Sequence, residues 1–233
     1  MRIQLVLIVA AVAFAAPAGA ANRNFGITDF TKIRVSGPYK VTLATGVAPF
    51  ARASGSSAAL DRVLVEVRGD TIVVQSNPSW GGYPGADPGP VEVTLGTHDL
   101  TNASLIGSGS LAIDRVKSQK FALTIQGSGS SEIANIATDQ LNVSLEGTAN
   151  AKVSGRAGKS TALVRGVSTL DAAGLTTPSA DIDADGSATV DANVTDMAKV
   201  NAWGPATVRF SGGPTCTLKV QGSTTVSGCR STQ

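Results

Sequence analysis

Residue types that support catalysis or metal binding are scarce in this chain of 233 residues. It contains one histidine, two cysteines and 4% aromatic residues, and only 15% of its residues are charged, well below the usual quarter. One histidine and two cysteines do not make a zinc site, and we expect no cofactor. The single histidine, His98, has no serine or cysteine motif near it, so we expect a surface residue.

Charge and long apolar runs are also limited. The net charge is +2 and the charged residues are scattered along the sequence, so we expect neither nucleic acid nor an anionic surface as a partner. After residue 20, no segment is long and apolar enough to cross a membrane.

The first 20 residues are typical of a cleaved secretory signal peptide. They carry one basic residue, an apolar core and the small residues Ala18-Gly19-Ala20 ahead of Ala21. An uncleaved anchor is the alternative, which the short apolar run and Pro17 disfavour. We therefore expect an exported protein with one domain over residues 21–233, in the periplasm, on the outer-membrane surface or in the medium.

A short sequence motif that begins with glycine recurs through the second half of the chain. It begins at Gly107, Gly127, Gly147, Gly166, Gly186, Gly204 and Gly222, which are 20, 20, 19, 20, 18 and 18 residues apart. A fixed period near 20 indicates stacked supersecondary units. Good helix formers do not recur at helical spacing over ten residues, so the pattern predicts an all-β protein.

Each repeat alternates apolar and polar residues on both sides of its leading glycine. Apolar residues occupy positions −4 and −2, as in Leu123 and Ile125, and position +4 is usually apolar, with Ser131 as the exception. Position +2 holds only small residues. The glycine then serves as a corner without a Cβ, and stacking buries the apolar columns. This predicts a parallel β-helix with coils of about 18–20 residues over 100–228; a β-sandwich is the less favoured alternative.

Residues 25–99 repeat less regularly but fit the same architecture. Ile33–Leu43 has the phase of an early coil, and Val63–Val67 and Ile72–Val74 alternate as two strands joined by an Arg68–Asp70 turn. This Arg-Gly-Asp triplet leaves an adhesion motif as a less favoured alternative. Residues 77–90 form a Gly/Pro-rich loop, which is either a long excursion or a functional protrusion. Its Trp80 and Tyr83 are candidate ligand contacts.

Outward positions +1 and +3 are rich in Ser and Thr. A flat grid of hydroxyls suits a repetitive ligand such as a polysaccharide, although β-propensity and solubility select the same residues. The candidate contacts are Ser108, Ser110, Ser128, Ser130, Ser187 and Thr189.

Outward position +5 is charged in five of the seven repeats, and stacking would place these residues in one column: Glu132, Lys152, Asp171, Asp191 and Arg209. Ordinary cross-rung ion pairs are the favoured interpretation. The alternative is a polysaccharide-acting enzyme, since Asp171 over Asp191 could meet the carboxylate spacing of a retaining hydrolase.

The run Asp181-Ile-Asp-Ala-Asp185 starts like a calcium loop but has Ala192 where a bidentate Glu is needed, which favours a solvated strand face. In an exported protein, the two cysteines Cys216 and Cys229 most simply form a disulfide that closes the C-terminal end of the rod.

The chain resembles the auto-transporter adhesin head GIN domain family. The resemblance is carried by the Gly-Ser-Gly-Ser words at Gly107 and Gly127, by the opening 30–37 and by the closing 210–214 with 220–223. It implies a right-handed parallel β-helix exported by a Gram-negative bacterium, and the family offers no assigned activity or catalytic residues to carry over to this chain.

We therefore expect a non-enzymatic, adhesin-like module for a glycan or protein ligand at the cell envelope. A polysaccharide lyase or hydrolase and a self-associating scaffold are the alternatives, and a homo-oligomer stays open.

Overall fold

The structure is a computed structural model that describes residues 21–79 and 89–230. The predicted signal peptide and both Trp80 and Tyr83 lie outside the described residues. The strands are β1 (Ala21–Phe25), β2 (Lys32–Ser36), β3 (Lys40–Thr45), β4 (Phe50–Gly55), β5 (Val63–Arg68), β6 (Thr71–Ser76), β7 (Glu92–Thr97), β8 (Asn102–Gly107), β9 (Ser110–Gly127), β10 (Ser130–Gly147), β11 (Asn150–Gly166), β12 (Thr169–Gly186), β13 (Thr189–Trp203), β14 (Thr207–Ser211), β15 (Thr215–Gln221) and β16 (Thr225–Ser227). They form a β-solenoid of about 6 turns, which confirms the predicted stack of parallel coils.

The leading glycines stack directly on one another. β9 to β12 each wind through most of a coil and pair in parallel with the next, so that Gly127 lies opposite Gly147 and Gly147 opposite Gly166. Gly147 has φ +103°, and a Cβ there would lie 2.5 Å from the carbonyl oxygen of Gly127. The corner therefore requires glycine both for its dihedral angle and for the close approach of successive backbones.

The small residues at +2 are buried inside the same corner. A Cβ on Gly129 would lie 2.7 Å from the Leu105 side chain, and Ala149 is fully buried. Ser168 fits because its hydroxyl bonds to the carbonyl oxygens of Arg165 and Gly147 at 2.9 and 3.2 Å. The size restriction read from the sequence is confirmed.

Aliphatic side chains fill the interior, with Phe121 among the largest fully buried ones. Where the inward residues shrink to Ala151, Ala162 and Ala172, a cavity of about 20 Å³ remains nearby. Ser131, the exception at +4, points inward at 5% exposure, and its hydroxyl has no hydrogen-bond partner among the described residues.

The N-terminal end departs from the parallel pattern. β2 and β3 join the coils in parallel, as the phase of Ile33–Leu43 predicts. However, β1 and β4 add antiparallel strands beyond β7, and β5 pairs antiparallel with β6. Helix α1 (Ser57–Asp61) packs Leu60 onto the core. Its five residues are too few for a helical period, so the sequence pattern missed it.

Within residues 21–79 and 89–230, no helix has the length and apolarity needed to span a bilayer.

The C-terminal end of the solenoid leaves apolar side chains exposed. The disulfide between Cys216 and Cys229 is confirmed, with the two Cα atoms 5.7 Å apart. Leu218 and Val220 align with Val200 and Ala202, as the repeat predicts, and they are 45% and 44% exposed. They are exposed because, in the described chain, only the bridge from Thr215 to Arg230 forms at the outer edge of β15.

Candidate functional site

Two outward columns form a shallow groove on the strand segment that follows the glycine corner. The in-register pairing stacks position +3 in one column and position +5 beside it. The groove, which we call the ladder groove, has a volume of about 490 Å³. Its polar lining comprises Ser110, Ser130, Asn150 and Thr169 in the first column, Glu132, Lys152 and Asp171 in the second, and Lys40 and Thr42 at the N-terminal side.

The structure separates the hydroxyl residues singled out in the sequence into two groups. Ser110 and Ser130 line the ladder groove, and Thr189 continues their column one rung beyond Thr169. Ser108, Ser128 and Ser187 are exposed beside the glycine corner, outside the groove lining.

The charged column forms the predicted cross-rung pairs. Lys152 lies 3.8 Å from Glu132, and Arg209 makes two hydrogen bonds to the carboxylate of Asp191, at 2.6 and 2.9 Å. The hydrogen bonds from Arg209 and the negative charge of Asp191 raise the pKa of the Arg209 guanidinium. Because both Asp191 oxygens accept from Arg209, this carboxylate is held as an ion-pair partner rather than presented to a ligand.

Asp171 does lie opposite Asp191 in register, as the hydrolase alternative requires. Its carboxylate accepts a hydrogen bond from the backbone N–H of Ala173 at 3.2 Å. At the N-terminal end of the groove, Lys40 pairs with Glu92 at 2.7 Å. The charged side chains that line the groove are two cations, Lys40 and Lys152, and two anions, Glu132 and Asp171, so their formal charges cancel.

Two of the three aspartates in 181–185 interact with polar side chains on the next rung. Asp183 accepts from Asn201 at 2.7 Å, and Asp181 lies 3.8 Å from Lys199. In the described parts of the chain, no group of three or more His, Cys, Asp and Glu residues is arranged to hold a metal ion.

His98 and the Arg-Gly-Asp turn are surface features with local partners. His98 is exposed, and its Nδ1 lies 3.1 Å from Asp29. Although burial raises the pKa of Asp29, hydrogen bonds from Thr97 and His98 lower it below its usual value. Arg68 pairs with Glu66 and Asp70 pairs with Lys32, with Gly69 at φ +65° between them, as expected of a turn. The hydrogen bond from Lys32 lowers the pKa of Asp70.

Two surface features were not found from the sequence. Trp203 is 43% exposed on the outer face, next to Asp185 on the preceding rung. Lys117, Lys120, Arg156 and Lys159 also come together just after the second corner of the coils, which lies between Ile133 and Ile136 in β10. Counting backwards from the glycine that ends each coil would have revealed the second cluster, since Lys117 and Arg156 both lie ten residues before such a glycine.

Comparison with solved structures supports the fold. A crystal structure of a putative adhesin from Bacteroides fragilis superposes with a TM-score of 0.81, at 18% identity, over 90% of this chain and 97% of that one. A putative lipid binding protein from Parabacteroides distasonis gives 0.71 at 19% identity, over 89% and 95%. A putative adhesin from Parabacteroides merdae gives 0.68 at 17% identity, over 89% and 95%. No curated protein matches.

A family model matches residues 29–214, from just before the buried Phe30 to Pro214, directly before β15. This range includes the opening 30–37, six of the seven leading glycines and the closing 210–214. Since this range covers most of the chain, the protein belongs to the family described as "Putative auto-transporter adhesin, head GIN domain".

Proposed function

We propose that this protein is an exported, non-enzymatic binding module of the bacterial envelope that holds a glycan strand in the ladder groove. The supporting observation is the groove itself, where a column of hydroxyl and amide side chains runs beside charges that cancel. Glycans present many hydroxyl groups and little charge, so such a lining offers both donors and acceptors without favouring one sign.

The solenoid gives this groove a regular and rigid spacing. Adjacent rungs are about 4.8 Å apart, so an extended ligand lying along the rod axis meets a similar set of polar groups on each rung. A single hydrogen bond to such a group contributes only about 1 kcal/mol net. Affinity would therefore come from several rungs acting together on one chain, as in multivalent binding.

A binding function is favoured over an enzymatic one, because two of the three candidate acids interact with cationic side chains. Glu132 lies near Lys152, and Asp191 is held by two hydrogen bonds from Arg209. A retaining hydrolase needs one carboxylate free to attack and another that gives up a proton. Only Asp171 of the three candidates lacks a cationic partner in the described residues.

The test measures binding to a polysaccharide and cleavage of that polysaccharide in the same wells. Purified protein is applied to immobilised envelope polysaccharides, and both retained protein and new reducing or unsaturated ends are measured. We expect retention without new ends, and loss of retention when Ser130→Arg and Asn150→Arg fill the groove. Thr207→Arg is the matched control, since it lies in the same column outside the groove lining. New ends that vanish in a Glu132→Ala, Asp171→Ala, Asp191→Ala variant would show an enzyme instead.

Self-association is a second candidate function, which the exposure of Leu218 and Val220 beside the free edge of β15 favours. Unpaired strand edges with apolar side chains promote pairing between chains. Light scattering on the purified protein would detect this, and Leu218→Lys should then return the protein to the monomer.

A lipid ligand inside the solenoid is disfavoured, although one similar structure is called a putative lipid binding protein. The cavity beside Ala162 has a volume of about 20 Å³, which is room for about one water molecule and far too little for an acyl chain.

A further inference from the structure

Four cationic side chains converge just after the second corner of the coils. Lys117 and Lys120 lie on β9, and Arg156 and Lys159 lie on β11, all of them exposed. We call these four residues the basic patch. They are separated by 39 residues in the sequence but by only two rungs in the structure.

The register places the cations in two parallel columns. Lys117 aligns with Ala137 and then Arg156, while Lys120 aligns with Gln140 and then Lys159. With rungs about 4.8 Å apart, each pair of cations is separated by roughly 10 Å along the rod. The intervening rung carries no cation at either column position, so the positive charges recur on alternate rungs.

These cations lack the partners that most others have. Within residues 21–79 and 89–230, nine other Lys and Arg side chains form ion pairs with carboxylates. In the described chain, no carboxylate oxygen lies within the 4.0 Å ion-pair distance of any of the four patch cations. A charge without a protein partner is available to a ligand, and its side chain need not break an existing pair to bind.

A groove of about 770 Å³ runs between the two cation-bearing rungs. Lys117 and Arg156 line it, together with the polar side chains of Ser118, Gln119 and Thr138. Asp99 and Asp139 line it as well, so the formal charges of the groove lining itself cancel. Lys120 and Lys159, next in sequence to the lining residues Gln119 and Gly158, bring the surface formed by the groove and the basic patch to a net charge of +2. This surface therefore combines a moderate positive charge with groups that hydrogen-bond to hydroxyls.

We propose that the basic patch binds an anionic polysaccharide in extended form. Its acidic groups contact the cations on alternate rungs, and sugar hydroxyls bond to Ser118, Gln119 and Asp139 between them. This surface is separate from the ladder groove, and the inference does not depend on the function proposed there.

The lining of the patch favours a polysaccharide over other polyanions. Single-stranded nucleic acid is held by stacking on aromatic side chains, and the groove lining contains none. Membrane-surface binding needs large exposed apolar side chains, and the lining has only the small apolar residues Ala137 and Ala157. The two carboxylates also oppose a ligand with the dense charge of nucleic acid.

The test measures retention of the purified protein on polygalacturonate, dextran sulfate and uncharged dextran. We expect retention on both anionic polymers at low salt, release at 1 M salt, where the Debye length is about 3 Å, and no retention on dextran. Equal retention on dextran would overturn the proposal, as would tighter binding to single-stranded DNA or to anionic phospholipid vesicles than to polygalacturonate.

Charge reversal locates the site. Lys117→Glu with Arg156→Glu should weaken binding to polygalacturonate by about tenfold or more, from two lost contacts of up to about 1 kcal/mol each and the added repulsion. Arg34→Glu with Lys219→Glu is the matched control, because both residues are exposed on another face. Equal losses in the two double variants would refute the assignment to the patch.

A variant of the opposite sign separates electrostatics from general damage. Asp139 lies on the rung between the cations, so Asp139→Asn raises the net charge of the four patch cations and the two groove carboxylates together from +2 to +3. It should strengthen binding to polygalacturonate several-fold, and unchanged or weaker binding would contradict the proposal. Asp139→Asn should leave retention in the ladder groove unaffected, which keeps the two proposals distinguishable.

Discussion

Replacing Gly147 by alanine tests whether the stacked glycine corners hold the coils together. Gly147 has φ +103°, a conformation that costs an L-residue about 1–3 kcal/mol. The added Cβ would also lie 2.5 Å from the carbonyl oxygen of Gly127, where no ordinary contact is tolerated. Two distinct penalties therefore apply at one position.

The clash cannot relax without disturbing both neighbouring coils. The carbonyl oxygen of Gly127 accepts from the N–H of Thr148 at 2.9 Å, and that of Gly147 accepts from the N–H of Val167 at 2.8 Å. Moving either carbonyl weakens a bond worth about 1 kcal/mol. Together with the dihedral strain, we expect Gly147→Ala to lower the free energy of unfolding by about 3–5 kcal/mol.

Two other glycines supply matched controls. Gly46 has φ +72° but nothing within 4 Å of a Cβ, so alanine there should cost only about 1–2 kcal/mol. Gly26 has neither a positive φ nor a close neighbour, so Gly26→Ala should be neutral or slightly stabilising.

Urea unfolding followed by circular dichroism and by tryptophan fluorescence measures all three variants. The expected order of destabilisation is Gly147→Ala, then Gly46→Ala, then Gly26→Ala. If Gly147→Ala and Gly46→Ala lose the same stability, backbone stacking is not the reason for glycine at the corner, and the dihedral angle alone explains it.

Three further changes probe the core, the C-terminal end and the pH dependence. Ser131→Ala removes a buried hydroxyl that has no partner among the described residues, and it should raise the free energy of unfolding by up to about 1 kcal/mol. Ser168→Ala removes a hydrogen-bonded hydroxyl and should lower the free energy of unfolding by a similar amount. A lower unfolding free energy for Ser131→Ala in urea would contradict the assigned environment. Cys216→Ser with Cys229→Ser opens a loop with a sequence separation of 13 and should cost about 3 kcal/mol, and reductant should destabilise the natural protein but not this variant in thermal unfolding. Asp29→Asn should destabilise the protein at neutral pH, because the lowered pKa of Asp29 stabilises the fold above its ordinary value of 3.8, and this contribution is lost as the pH falls through the lowered value. The difference from the natural protein should thus shrink in acid, and a difference that is the same at pH 7 and in acid would refute the role of the carboxylate.

The parts of the fold that follow the repeat could be predicted from the sequence. The glycine corners, the apolar columns and the cross-rung pair of Asp191 with Arg209 all depend on residues counted a few positions from a leading glycine. The N-terminal cap has no period, since β1, β4 and α1 each occur once and serve to cover the first coils. Leu218 is exposed for a related reason: the repeat determines where a side chain points, while burial also needs a following rung.

Within the regular coils, residue positions can be predicted from the leading glycine only up to the second corner. The coil that starts at Gly147 is one residue shorter than the one before it, yet position +5 and the glycines stay aligned. The register shift lies between Ile133 and Ile136, at the second corner, which absorbs the missing residue. Positions counted forwards from a glycine are therefore reliable only as far as this corner, and positions beyond it must be counted backwards from the next glycine.

The basic patch lies just beyond that shift, which is why its charges look scattered in the sequence. Counted forwards, Lys117 is at +10 from Gly107 and Arg156 is at +9 from Gly147; counted backwards, both are at −10. Because the second corner absorbs a difference in coil length, deleting one residue there, such as Ala134, should leave the register of the following strand intact. Moving the deletion to Asn142, in the middle of that strand, would shift its inward residues outwards and unfold the coil. Equal free energies of unfolding for the two deletion variants in urea would show that the second corner does not accommodate differences in coil length.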